Sequence, residues 1–384
     1  MNYNVLGRTG LLVSEIGLGC EYLEDHDYQV IKETIDAAID GGINIFDVFM
    51  SEPNVRSNIG KALKGRRERV YIQGHFRSIW KDGQYTRTLN LDEVVFFFED
   101  LLKRLDTDYI DFGMLHMLDN EEDANAVFNG EILKYALSLK ERGIIKNLGI
   151  SSHVPAIAIK LVKTGLIDVI LFNINPVYDM LQGDVLRPRK LDSSFFETQN
   201  GISGINDMRM ELYKLCASMN VGMTAMKILG AGVLLNKRTS PFGVAMTVPQ
   251  CIHYALSKPA VASVLIGMQS AKEIAEALQY ETMKEREKDF SFILKLDPKY
   301  NNRGQCVYCN HCLPCPSHIN IAHVNKCIDL VDTEDTIPKM VLERYRSFKV
   351  KADSCVACGA CEKRCPFNVK IMERMNKAKT LFEK

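Results

Sequence analysis

YIDFGMLH (Tyr109–His116), EILKYALSLKER (Glu131–Arg142) and KNLGIS (Lys146–Ser151) make one strand–helix–strand unit. The outer two segments are short and apolar almost throughout, as parallel strands buried on both faces should be. The alternation continues outward in both directions. Strands are expected at Ser14–Gly19, Asn44–Val48, Val70–Gln73, Val169–Asn173, Gly222–Met226 and Val261–Ile266. The intervening helices are Tyr28–Asp40, Ser57–Leu63, Leu91–Leu105, Pro155–Thr164, Asp207–Met219, Thr247–Leu256 and Ala271–Leu278. Residues 2–16 read as two short strands joined by Gly7–Gly10. Eight such units predict an α/β fold, a (β/α)8 TIM barrel. No sequence repeat of solenoid length interrupts them.

A second pattern lies beyond the barrel. Cysteines stand at Cys306, Cys309, Cys312 and Cys315 before Pro316, and at Cys355, Cys358, Cys361 and Cys365 before Pro366. Residues three apart on a tight turn present three thiolates to three corners of one cubane, and the fourth cysteine points away. In bacterial-type ferredoxin segments that fourth cysteine ligates the other cluster. Applied here, Cys306, Cys309, Cys312 and Cys365 hold one [4Fe–4S] cluster, and Cys355, Cys358, Cys361 and Cys315 hold the other. The last gap of the first run is one residue short (Leu313, Pro314), which leaves the uncrossed arrangement open. Zinc usually takes two separated CxxC pairs, and disulfides need an oxidising compartment. A polar link near Asp297–Arg303 separates a barrel at residues 1–296 from a small α-rich ferredoxin-like two-cluster domain at 297–384.

The 384 residues suit one large domain and one small one. With 48 basic and 48 acidic residues the formal charge is zero, so no field for nucleic acid or membrane is implied. No apolar run is long enough to span a bilayer. Met1–Gly10 has no signal-peptide core, and exposed clusters suit a reducing cytoplasm. The remaining Cys20, Cys216, Cys251 and Cys327 read as buried small hydrophobes.

The active site of such a barrel lies at the C-terminal ends of its strands. Several segments there and around it, "LGRTGLLVSEIGLG", "GGINIFD", "LKRLDTDYIDFGMLH", "GIIKNLGISSH", "MKILGAGVL" and "VLIGMQSAKEI", resemble the aldo/keto reductases. The likeness covers about residues 3–290, and the cysteine domain is similar to a subgroup with a C-terminal ferredoxin-like module. The resemblance implies NAD(P)H bound in extended form and hydride transfer to a carbonyl. It also implies four site residues: a proton-donating tyrosine, a lysine, an aspartate and a histidine. Asp47 matches the aspartate and His116 the histidine. The tyrosine position falls on Glu52, and His75 stands in the place of the lysine. The expected catalytic set is therefore Asp47, Glu52, His75 and His116. Two carboxyls and two imidazoles make an acid–base site, though not the usual carbonyl-reductase one. A scaffold that has lost its chemistry is the bland alternative. Tyr22, Tyr85 and Tyr178 are the candidate surrogate tyrosines.

For the dinucleotide, the resemblance points to Ser151 and Ser152 at the carboxamide, to Asn173 and Asn175 at polar positions of the sixth strand, and to Met226 and Lys227 at the nicotinamide. Gly230–Gly232 offers the phosphates a close approach. Gly267, Gln269, Ser270 and Lys272 lead into a helix start with a capping box, a suitable anion site. Three loops could cover the pocket: Arg77–Asn90, the acidic Leu118–Asn129, and Asp179–Asn206 with its basic 187–190 segment and Phe195–Phe196. The reading that follows is an NAD- or NADP-linked oxidoreductase acting on a small carbonyl, enone or related substrate. Its clusters would serve a ferredoxin- or flavodoxin-type electron partner. A redox-neutral lyase or epimerase with structural clusters, or a non-catalytic electron-transfer module, are the competing readings. Net nicotinamide consumption separates the first reading from the second.

Overall fold

The computed structural model describes residues 1–180, 206–295, 306, 310–332, 337, 339–365 and 368–383. A hairpin opens the chain, β1 (Tyr3–Val5) against β2 (Leu12–Ser14). The barrel begins with β3 (Ile16–Gly19), β4 (Ile45–Val48) and β5 (Tyr71–Phe76). A second hairpin follows, β6 (Ser78–Lys81) with β7 (Gln84–Arg87). The barrel resumes with β8 (Ile110–Leu115), β9 (Ile145–Ser152), β10 (Val169–Asn173), β11 (Gly222–Met226) and β12 (Val261–Gly267). β12 pairs with β3, so the sheet closes on itself with every pairing parallel.

Burial explains why the strands read as apolar runs. β4, β8 and β10 are buried at every position. Their inward residues, among them Ile45, Phe112, Met114 and Leu171, fill the barrel with Leu265 of β12. Outward residues of the barrel strands meet the helices, as where Phe76 of β5 stacks on Phe98 at 4.2 Å. Each such side chain contributes roughly 1.5–3 kcal/mol. The hairpin β1–β2 closes the floor of the barrel: Leu6 packs against Gly222, where an added Cβ would meet Leu6 Cδ1 at 2.7 Å.

Three local features differ from the sequence expectation. The helix after β4 spans Pro53–Leu63 and starts at Pro53 rather than Ser57, because Glu52 caps it and Pro53 fits its first turn. The segment Arg77–Asn90 contains the hairpin β6–β7, turned at Asp82-Gly83 with both residues at positive φ. The acidic segment 118–129 holds a helix, Glu121–Phe128, capped by Asn120. The basic 187–190 segment and Phe195–Phe196 lie outside the described residues.

The C-terminal unit is α-rich, with helices Ile321–Asp332, Lys339–Arg346, Ala360–Arg364 and Ile371–Phe382. Its core holds Val324, Ile328 and Met375, with Tyr345 stacked on Phe382 at 4.4 Å. It sits over the C-terminal ends of the barrel strands. The Gln84 side chain accepts from Cys315 N–H at 3.1 Å and donates to Cys315 O at 3.2 Å, and Asn310 donates to Glu21 at 3.2 Å. Among the described residues no helix is long and apolar enough to cross a membrane.

Candidate active site

Inward positions at the ends of β4 and β5, and just past β8, bring Asp47, His75 and His116 together. His75 Nε2 donates to Asp47 Oδ1 at 2.8 Å. His75 Nδ1 and His116 Nδ1 are 2.8 Å apart, and Tyr85 Oη lies 2.7 Å from His116 Nε2. The partners assign the tautomers. With Asp47 ionised, His75 carries its proton on Nε2, His116 carries its own on Nδ1, and Tyr85 donates to His116 Nε2. Phe49 stacks on His116 at 5.5 Å and closes this group from one side. Burial, with His75, Arg87 and Arg77 nearby, holds His116 well below the usual histidine range. Burial pushes Tyr85 up to about 12.

Glu52 is not brought into this group. Its carboxylate caps the helix Pro53–Leu63, accepting from Val55 N–H at 2.7 Å and from Asn54 at 3.0 Å. Tyr85, carried in on β7, stands against His116 instead. The signal for that hairpin was in the chain: Asp-Gly between Ile79, Trp80 and Tyr85 is a two-residue turn flanked by strand formers.

A cavity of about 860 Å³ opens above these residues. Asp47, His75, His116, Ser151, Met226, Lys227, Gly267 and Gln269 line it, together with Glu21, Tyr22 and His153. The C-terminal unit contributes Cys306, Lys326, Asp329 and Arg374 to its wall. Burial raises the Glu21 carboxyl above its usual range, against the pull of Lys227. Gly267 is needed at this wall, because a Cβ there would meet Tyr22 Cδ2 at 2.4 Å.

The other expected dinucleotide residues divide. Ser151 Oγ accepts from Met117 N–H at 2.7 Å. Ser152 turns away from the cavity and donates to Leu118 O at 2.7 Å. Asn173 is fully buried on the inward face of β10, and both polar atoms of its side-chain amide lack a hydrogen-bond partner. An orphaned amide of this kind fits a carboxamide, which offers it both a donor and an acceptor. Asn175 donates to Lys227 O at 2.6 Å and holds that residue at φ +59°. Gly230 and Gly232 take positive φ in the following turn. Ser270 caps the helix Ala271–Leu278, whereas the Lys272 side chain is 85% exposed and pairs with Glu276.

A cluster of buried groups that sequence reasoning missed stands beside the cavity. Asp119 Oδ2 accepts from His153 Nδ1 at 2.9 Å and from His311 Nε2 at 2.6 Å. Lys227 Nζ lies 2.9 Å from His153 Nε2. Burial and Lys227 push His153 down to about 3. Burial alone would raise Asp119, yet the two imidazoles that donate to it hold it well below the usual carboxylate range.

In the C-terminal unit, Cys315 shares one small cavity with Cys355, Cys358 and Cys361. Cys312 and Cys365 are buried in the same core, and Arg364 ties their segments by donating to Cys312 O at 2.7 Å. Cys309 lies outside the described residues. Thiols drawn from both runs around one hollow fit a thiolate-held cluster.

Residues 15–247 match the model of the aldo/keto reductase family, and residues 348–370 match the 4Fe-4S binding domain. Aldo-keto reductase YhdN of Bacillus subtilis (strain 168) is 31% identical over 198 residues, 48% of this chain. The match spans 56% of YhdN's own length. The uncharacterized oxidoreductase YqkF of the same organism is 26% identical over 295 residues, 73% of this chain and 90% of YqkF. The holo form of aldo-keto reductase AKR11C1 from Bacillus halodurans shares the fold, with a TM-score of 0.59 at 22% identity. That superposition covers 78% of this chain and 98% of AKR11C1.

Proposed function

This chain belongs to the aldo/keto reductase family and carries a 4Fe-4S binding motif. From that premise we propose an NAD(P)-linked oxidoreductase acting on a small carbonyl, enone or related substrate. In this reading residues 1–296 form the catalytic barrel, and 297–384 hold two [4Fe–4S] clusters in a reducing cytoplasm. One observation carries it: Cys306, a thiol of the first cysteine run, lines the same cavity as Asp47, His75, His116 and Lys227. When bound, the dinucleotide supplies hydride and the clusters supply or accept single electrons.

The chain's own residues have separable tasks. Lys227 and Gln269, with the Gly230–Gly232 turn, meet the anionic body of the dinucleotide, and Ser151 and Asn173 offer polar atoms to its carboxamide. Tyr85, His116, His75 and Asp47 form a line of hydrogen bonds with one carboxylate end. Tyr85 and His116 fix the tautomer of His75, so the imidazole and the carboxylate of Asp47 that face the cavity are held in one hydrogen-bonded arrangement. Glu21 faces the same cavity with its acid form favoured by burial, which suits proton donation to a substrate oxygen. An electron carrier of the ferredoxin or flavodoxin type is the partner the clusters would serve.

The test is calorimetry on anaerobically reconstituted protein with NADPH and NADH, followed by carbonyl and enone substrates with nicotinamide consumption as readout. One saturable dinucleotide site and net consumption are expected. No binding of either nicotinamide defeats the reading, and turnover without net consumption transfers it to the redox-neutral class.

A further inference from the structure

The buried group around Asp119 joins four segments: the loop after β8, the end of β9, the end of β11, and the first cysteine run. His311 stands between Cys309 and Cys312, two residues expected to hold the first cluster. Lys227 stands on the wall of the cavity. We propose that Asp119 and His153 are positioning residues that couple the first cluster to the dinucleotide site, by tying His311 to Lys227 through one carboxylate. The inference rests on the reading that the cavity takes a dinucleotide.

The hydrogen bonds fix the arrangement. Lys227 has only donors, so His153 Nε2 must accept from it, and the ring proton is on Nδ1. That proton is given to Asp119 Oδ2, which also takes His311 Nε2–H. Asp119 Oδ1 accepts from His153 N–H at 2.6 Å. Asp119, His153 and His311 are each under a tenth exposed. Both carboxylate oxygens are therefore engaged, Oδ2 by two imidazoles and Oδ1 by a backbone N–H. A shift of His311 with its cysteine run must move Asp119 or leave a buried charge short of a donor, which is expensive. The same three side chains could surround a divalent cation. A metal on His153 Nδ1 would force the ring proton onto Nε2, where it would face the donors of Lys227. The hydrogen-bonded link is thus the arrangement that agrees with the Lys227 contact.

Coupling of two sites is reciprocal. An anionic dinucleotide drawing on Lys227 disturbs the same carboxylate that anchors the cluster run, and the negative charge added on cluster reduction acts back through it. Dinucleotide affinity and cluster potential must then depend on one another. The expected coupling is about tenfold weaker binding to the reduced protein. That is about 59 mV of lowered potential for a one-electron centre.

The measurement is a potentiometric titration of anaerobically reconstituted full-length protein, followed by electron paramagnetic resonance. The probe is tetrahydronicotinamide adenine dinucleotide phosphate, a redox-inert analogue. In the wild type the analogue should lower the potential of one cluster. Asp119→Asn and His153→Leu, each checked for iron content, should bind the analogue with little or no shift. An equal shift in wild type and variants means that a field acting directly across the cavity is responsible, and overturns the link. So does a wild type that binds the analogue without any shift, a result that needs no variant to fold. Failure of the analogue to bind the wild type brings down the dinucleotide reading as well, and so is told apart from failure of the link alone.

Discussion

Lowering the pH through the ordinary histidine range should weaken the fold by way of His153, and the variant His153→Gln isolates that effect. His153 is 7% exposed, and burial with Lys227 puts its folded value near about 3. The unfolded imidazole titrates near about 6.5. Between these values the unfolded chain binds a proton that the folded chain refuses, so stability falls as pH falls. From about pH 7.5 to about pH 5.5 this one group removes about 1.4 kcal/mol. Burial also raises the carboxyls of Glu21 and Glu24, the latter to about 8. They hold protons in the folded state that the unfolded chain releases, so they act with the opposite sign. The wild-type slope is therefore a mixture, and the gap between wild type and His153→Gln is the diagnostic quantity. Glutamine keeps an acceptor for Lys227 and a donor for Asp119 but does not titrate. The assay is anaerobic urea unfolding at each pH, followed by the fluorescence of Trp80, the one tryptophan of the chain. The wild type should lose about 1.4 kcal/mol relative to the variant across that range. A gap that does not change with pH would refute the assignment of a buried neutral imidazole.

Three further substitutions test the site. Asp47→Asn removes the carboxylate that takes the His75 proton, and should lower turnover while costing about 1.5–3 kcal/mol in denaturant unfolding. Glu52→Ala removes a helix cap and should cost about 1 kcal/mol, with dinucleotide affinity and turnover unchanged in calorimetry and steady-state assays. A collapse of turnover would return Glu52 to the catalytic group. Gly267→Ala drives a Cβ into Tyr22 and should weaken dinucleotide binding in titration more than it lowers the melting temperature.

The barrel was legible because its strands are covered on both faces. Segments such as Ile110–Leu115 have no solvent side on which to place polar residues, so they announce themselves. The candidate site was legible where it lies on inward positions of those strands, as with Asp47 and His75, which the structure brings together. It was obscured where loops carry it. Counting residues past β4 put Glu52 in the tyrosine's place, whereas Pro53 marks a helix start and makes Glu52 its cap. Tyr85 arrives on a hairpin whose Asp82-Gly83 turn is the one local sign of strands inside a segment otherwise polar enough for a loop. His311 meets Asp119 and His153 only after the C-terminal unit settles on the barrel mouth. No local pattern in the chain encodes a contact across 192 positions.

On the proposed reading, the barrel mouth and the first cysteine run build one dinucleotide-binding cavity. An anaerobic crystal structure of the reconstituted protein with NADP(H) tests it directly. The predicted result is a nicotinamide ring beside Met226 and Lys227, within reach of His116, with a cluster held by Cys306 forming the opposite wall. A dinucleotide seated elsewhere, or a cluster domain turned away from the strand ends with that cavity open to solvent, would contradict it.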